Sequence, residues 1–304
     1  NNDFYQILIN KFMYYKVQAL LLIILLLFIT VNLSAQDLDP RAYVRVPIEM
    51  TVLVAGFGYT YGSVVLDPTS PIQDLEAKVE TPMIGVGRTF NLFGLTSQAF
   101  VALPYSWAQA SGKVFGEDSS TTRSGFGDTR FRISTLLFGA PAATREEFAK
   151  SSPQTVFGAS LTVIAPTGQY FNNKLINLGT NRWSFKPELG LSYVISNQWF
   201  VDFYAGAWFF TTNNSFYPGA SVRSQEPLLS FQTHVSYNIN PLMWAAIDFT
   251  YYTGGQTSVN DFYKNDHLNN SRLGAIFNFP LSRLSSLKIA YSTGAIIRFG
   301  GNLS

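Results

Sequence analysis

A two-residue rhythm of apolar and polar side chains recurs along most of this chain and constrains its fold more than any other feature. Residues 180–196 read TNRWSFKPELGLSYVIS. The odd positions carry Trp183, Phe185, Pro187, Leu189, Leu191 and Tyr193, and the even positions carry Arg182, Ser184, Lys186, Glu188, Gly190 and Ser192. A strand sends alternate side chains to opposite faces, so one face here is oily and the other is polar, charged or small. A helix would smear Arg182, Lys186 and Glu188 over its apolar stripe. In 226–239, Leu229, Phe231, Val235 and Tyr237 oppose Ser230, Gln232, His234 and Ser236. Residues 242–253, 125–138 and 270–279 repeat the pattern, with Asp248 and Tyr252, then Asp128, Arg130 and Arg132, then Arg272 on the polar side.

About eleven such segments follow one another, near 49–61, 74–90, 95–110, 125–139, 154–166, 180–196, 197–212, 226–239, 241–254, 269–280 and 285–299. Each exceeds the roughly 9–11 residues that a tilted strand needs to cross a bilayer. Their connections alternate in length. Short turns lie at Asn91–Gly94, Ser196–Asn197, Asn238–Pro241 and Pro280–Ser285, and longer polar loops near 62–73, 111–124, 167–179, 213–225 and 255–268. Short turns on one rim and long loops on the other is the arrangement of bacterial outer-membrane barrels. The segment 140–153 departs from it and reads as a short-turn connection with one helical turn around Thr144–Lys150. A periplasmic β-sandwich would also alternate. Strand length and loop asymmetry favour an all-β, transmembrane antiparallel up-and-down barrel.

Composition agrees. Charged residues are 13% of the 304, against roughly 25% in soluble proteins, and aromatics are 15%. The mean hydropathy of +0.10 is too low for a bundle of membrane helices. The chain has no cysteine and two histidines, so disulfide scaffolds, thiolate metal sites and cysteine nucleophiles are out. A formal charge of +2 does not suggest nucleic acid as a partner.

Leu20 to Ile29 form an unbroken apolar run, preceded by Lys16 and followed by Leu33-Ser34-Ala35. This has the form of a signal peptide cleaved after Ala35, the other reading being an uncleaved anchor helix. Met13 is the candidate start, which would make 1–12 upstream read-through. The expected division is therefore a signal peptide over 1–35 and a single barrel domain over 36–304.

Several stretches carry a family resemblance: GFGDTRFR (125–132), LLFGAPA (136–142), IAPTGQY (164–170), INLGTNRWSFKPELG (176–190), FFTTNN (209–214), YYTGG (251–255), SRLGA (271–275) and LKIAYSTG (287–294). Over about residues 45–300 the chain resembles the outer-membrane proteins of the meta-pathway of phenol degradation family. The resemblance implies a barrel of about twelve strands and a role in the passage of small, often apolar or aromatic, compounds. Similar proteins continue past RFGG (298–301) with one more strand, so the expectation is either a C-terminal truncation or a further strand near Arg41–Val46.

With the polar faces inward, the lumen would hold Glu76, Lys78, Glu80, Asp128, Arg130, Arg132, Arg182, Lys186, Glu188, Asp202, His234, Asp248, Arg272 and Lys288, with Tyr204, Trp208, Phe210, Trp244 and Tyr252 among them. The signs are mixed, unlike the rings of one sign in strongly ion-selective pores. Either these residues form a selective constriction and solute path, or they fill a narrow barrel and hold its register. Outward Trp107, Trp183, Trp199, Tyr193, Tyr237 and Tyr251 read as interfacial girdles. His234, Ser236 and Asp248 could be imagined as a triad, but the spacing has no specificity and no GxSxG elbow is present. The loop acids Asp261 and Asp266 lack a calcium-loop spacing. The reading is a passive outer-membrane channel for small solutes, not an enzyme and without cofactor or metal. Its partners are outer-membrane lipid and a small-molecule solute. The alternative is a closed structural or surface-interaction barrel. Oligomeric state is left open.

Overall fold

The computed structural model describes residues 39–65, 72–114, 116–282, 284–298 and 300–303. The expected signal peptide lies outside the described residues. The alternating segments form strands β1 (Thr51–Val65), β2 (Ile72–Leu92), β3 (Leu95–Val114), β4 (Glu117–Phe126), β5 (Thr129–Phe138), β6 (Val156–Ala165), β7 (Ser184–Val194), β8 (Trp199–Phe210), β9 (Asn213–Phe216), β10 (Ser221–Gln225), β11 (Leu228–Asn240), β12 (Met243–Gly254), β13 (Thr257–Val259), β14 (Phe262–Tyr263), β15 (Leu268–Pro280), β16 (Ser286–Ile296) and β17 (Gly300–Leu303), with a short helix α1 (Arg145–Ala149) between β5 and β6.

The main sheet runs β16-β15-β12-β11-β8-β7-β6-β5-β3-β2-β1-β17, with β4 also on β3. Every ladder is antiparallel. β4 and β5 pair with the outer and inner lengths of β3, so they serve as one wall strand interrupted at Gly127–Asp128. The wall thus has eleven up-and-down strands, curled as a transmembrane β-barrel. The short β17 follows β16 and pairs with β1 over Gly62–Val65. The two ends of the sheet meet there, at the long-loop end. Among the described residues, the inner lengths of β1 and β16 share no ladder.

The faces are inverted relative to a water-soluble protein. Phe131, Ile133, Leu189, Phe203, Phe231 and Ile247 are exposed on the outer face, while Lys186, Glu188, Asp202, His234, Asp248 and Arg272 are buried on the inner one. Lipid sets this arrangement: apolar side chains meet acyl chains and ladder hydrogen bonds satisfy the backbone. Trp199 and Tyr237, partners in the β8–β11 ladder, lie with ring centroids 4.8 Å apart beside the Ser196–Asn197 turn, as an interfacial girdle would. The β2–β3 turn uses left-handed Phe93 and Gly94, at φ 52° and 83°. Two such residues match the twist of a tight hairpin.

Three expectations change. Residues 111–124 are not a loop; they are the outer halves of β3 and β4 turning at Gly116. The Ser/Thr-rich run Ser119–Thr122 suits a pleated surface as well as a loop, and pairing decides. The loops 213–225 and 255–268 carry β9, β10, β13 and β14, which form a separate four-stranded sheet. Residues 41–46 form no strand. The expected helical turn is α1, opened by a capping box between Thr144 and Glu147.

Candidate functional site

The segment preceding β1 threads the barrel interior. Its exit is tied down where Ile48 N donates to Ala143 O, Glu49 N to Thr89 O and Met50 N to Thr89 Oγ1, each at 2.9 Å. Further in, Arg41 N donates to Asp202 Oδ2 at 3.0 Å, Arg41 Nε to Ser236 Oγ at 3.0 Å, and Ala42 N to Tyr204 Oη at 3.0 Å. The Arg41 guanidinium lies 4.8 Å from the Phe200 ring and 4.6 Å from the Trp244 ring. Arg41 is left-handed, at φ 65°. Such a backbone is disfavoured for a side chain with a Cβ, so these contacts hold it in place.

Tyr43 is fully buried at the centre. Its hydroxyl lies 2.7 Å from Ser160 Oγ and 3.1 Å from Glu188 Oε1, and its ring meets Tyr204 edge-on at 5.0 Å. Two inward glycines make the notch for that ring. A Cβ on Gly190 would come within 2.1 Å of Tyr43 Cδ2, and one on Gly158 within 2.7 Å of Tyr43 Cδ1. Beside the segment is a cavity of about 10 Å³ lined by Ala42, Val44, Thr96 and Leu136, no more than the least volume one water needs.

Two rows of polar groups surround the segment. The first crosses six strands at one height: Ser192, Asp202, His234, Asp248, Gly274 and Ser292 stand directly opposite one another on β7, β8, β11, β12, β15 and β16. Within it His234 Nδ1 is 2.5 Å from Asp248 Oδ1, and Ser192 Oγ donates to Asp202 Oδ1 at 2.5 Å. Ser236 is engaged by Arg41 instead of by His234. The second row centres on Glu188, which takes Lys186 at 2.9 Å, Arg132 at 3.6 Å and Gln232 Nε2 at 3.4 Å. Buried charges need such partners, because an unpaired ion in a dry interior is strongly unfavourable.

Alongside these rows, the inner face of β8 carries an aromatic ladder. Phe210 and Trp208 stack at 6.5 Å, and Tyr204 follows beyond Gly206. Lys186 Nζ lies 5.3 Å from the Trp208 ring and the Arg182 guanidinium 4.3 Å from the Phe210 ring.

The predicted set therefore separates. Arg182, Lys186, Glu188, Asp202, Tyr204, Trp208, His234, Asp248 and Arg272 are buried on the inner face, and Arg130, Arg132 and Tyr252 are half-buried there. Asp128 is half-buried at the break between β4 and β5. It accepts Gly168 N at 2.9 Å, Thr180 N at 2.8 Å and Thr180 Oγ1 at 2.6 Å, and so ties down the 166–183 connection. Glu76, Lys78 and Glu80 stand on the outer half of β2, where Lys78 and Glu80 pair with each other at 2.9 Å, both more than a third exposed. Lys288 pairs with Asp39 at 3.1 Å. Sequence reasoning missed Arg41, Tyr43 and the Gly158–Gly190 notch. The available signal was a pair of glycines on the inner face of otherwise polar strands, which marks close approach by something else. Outside the barrel, a depression of about 390 Å³ between Phe157, Leu189, Phe203 and Phe231 belongs to the lipid-facing surface.

A transmembrane β-barrel of eleven wall strands with a chain segment against its inner face is the class that this geometry defines. The chain belongs to the family described as "Putative MetA-pathway of phenol degradation", whose model matches residues 54–295. Among solved structures it is similar to an outer membrane channel from Pseudomonas putida F1, with TM-score 0.71 and 19% identity over 88% of this chain and 96% of that one. No curated protein matches the chain.

Proposed function

We propose that this protein is an outer-membrane channel that lets small apolar or aromatic solutes pass down a gradient, without catalysis, cofactor or energy input. The observation that carries the reading is the lumen itself. An aromatic ladder descends from Phe210 through Trp208 to Tyr204, and at its foot stands a separate piece of chain, residues 39–46, whose Tyr43 fills a notch cut by two glycines. A segment held by a few hydrogen bonds and one ring can leave; a wall strand cannot. The family and the fold support the reading, since the similar structure is an outer membrane channel. Export to the outer membrane accords with the signal peptide expected over 1–35, and the lipid partner with the apolar outer face.

The complete burial of Tyr43 favours a second reading, a barrel that stays shut and serves as a structural or surface element. Planar-bilayer conductance and liposome swelling separate the two. Wild-type protein and a variant lacking residues 39–46 are compared. Flux of small solutes in the wild type, raised in the deletion, supports the channel; no flux in either sinks it.

A further inference from the structure

At the outer end of the ladder stand two guanidinium groups that the ion-pair network below does not reach. Arg182 is 9% exposed. Its Nη2 donates to Gln225 Oε1 at 2.5 Å, and its plane lies over Phe210. Its Nε and Nη1 are enclosed and have no acceptor among the described residues. Arg223, on β10, rests against Phe216 at 5.3 Å. Among the described residues, neither guanidinium has a carboxylate within 4 Å.

The two acids that act on them from further away are already engaged. Asp128 spends both oxygens on Gly168 and Thr180, and Asp266 spends both on Thr257, at 2.8 Å to the backbone N and 2.6 Å to Oγ1. Arg223 stands near enough for its like charge to act on Arg182. An enclosed cation with orphan donors is unfavourable unless an acceptor arrives. Directly beneath, Phe210 is half-buried and keeps part of its apolar surface open, whereas Trp208 is buried with Lys186 beside its ring.

We propose that this vestibule is an anion subsite that takes the carboxylate of a small aromatic acid, the carboxylate on Arg182 with Arg223 supplying field and the ring against Phe210. The assignment deepens the channel reading and rests on it. Charge-assisted bonds give the head-group preference, and stacking on aromatic faces holds the body.

The probe is benzoate, with benzyl alcohol, acetate and inorganic phosphate as comparisons, titrated calorimetrically against the detergent-solubilised full chain. Benzoate should bind about tenfold or more tightly than benzyl alcohol, the scale of one lost charge-assisted contact. It should also outcompete acetate and phosphate. Arg182→Gln and, separately, Arg223→Gln should each lower benzoate affinity toward that of benzyl alcohol, whereas Lys113→Gln on the outer half of β3 should change nothing. Retained heat-modifiable migration on gels shows that each variant is folded. Equal binding of benzoate and benzyl alcohol, or benzoate affinity unchanged in both arginine variants, overturns the subsite. Acetate or phosphate binding as tightly as benzoate overturns the aromatic part. Liposome flux tests the channel reading independently: benzoate that binds through Arg182 yet never crosses would leave the subsite standing and remove the channel.

Discussion

The strands β6, β7, β8 and β11 run 10 to 13 residues and bury most of what they turn inward, whereas β2 and β3 run 21 and 20 residues and their outer halves bury little. A tilted crossing needs about 9–11 residues, so the excess of β2 and β3, with β4, rises as a polar fin beyond the bilayer. Both regions alternate and both are antiparallel ladders. On the wall, inner side chains meet residues 39–46 and each other, and Glu188 collects four donors. On the fin, the comparable pair Lys78–Glu80 stands in water. Alternation therefore makes a strand, but what the inner face touches decides whether its charges are structural.

The sharpest break of this comparison is the removal of one charge from each region. Glu188→Ala leaves Lys186 buried without its carboxylate, and the loss should be about 3–5 kcal/mol, read as a lower urea midpoint for the barrel in micelles. Gly190→Val comes next. Its side chain would collide with the Tyr43 ring, and overpacking of about 1–3 kcal/mol should drive residues 39–46 from the lumen. Faster proteolysis of that segment and higher conductance would show it, while Ser120→Val on the fin should leave both unchanged. Asp128→Asn sharpens the boundary between the regions. Weakening its charge-assisted bonds by about 1.5–3 kcal/mol in all should free the 166–183 connection to hydrogen exchange without moving the barrel midpoint.

Smaller effects are expected at exposed sites. Glu80→Gln should barely move the midpoint, and less still in high salt, because exposed pairs are screened. At α1, the Thr144 backbone N–H and then its side chain hold the Glu147 carboxylate below its usual range. A lowered folded-state value stabilises above the unfolded one and is lost as pH falls through the folded one. Amide protection over 144–150 should therefore be full at neutral pH and disappear on acidification, and Thr144→Ala, which removes the hydroxyl but keeps the backbone N–H, should weaken that pH dependence without abolishing it.

Much of this was legible in the chain as text. The period of two gave strand positions and faces, and it put Lys186, Glu188, Asp202, His234 and Asp248 on one inner surface, because pleat geometry is local. The family resemblance was legible too, in stretches such as GFGDTRFR (125–132) and INLGTNRWSFKPELG (176–190). The fin was misread, since Ser119–Thr122 suits a loop or a strand and only pairing with β3 chooses. The reach of Tyr43 was invisible for a stronger reason. Its partners Ser160 and Glu188 lie 117 and 145 residues away, and nothing in RAYVRV says that it enters a barrel instead of joining its wall. Local sequence thus determined strands, faces and charge inventory through steric and solvation rules acting over two residues. Tertiary assembly alone decided which charges meet, which donors on Arg182 stay unmet, and what occupies the lumen, because those depend on distances set by many strands together.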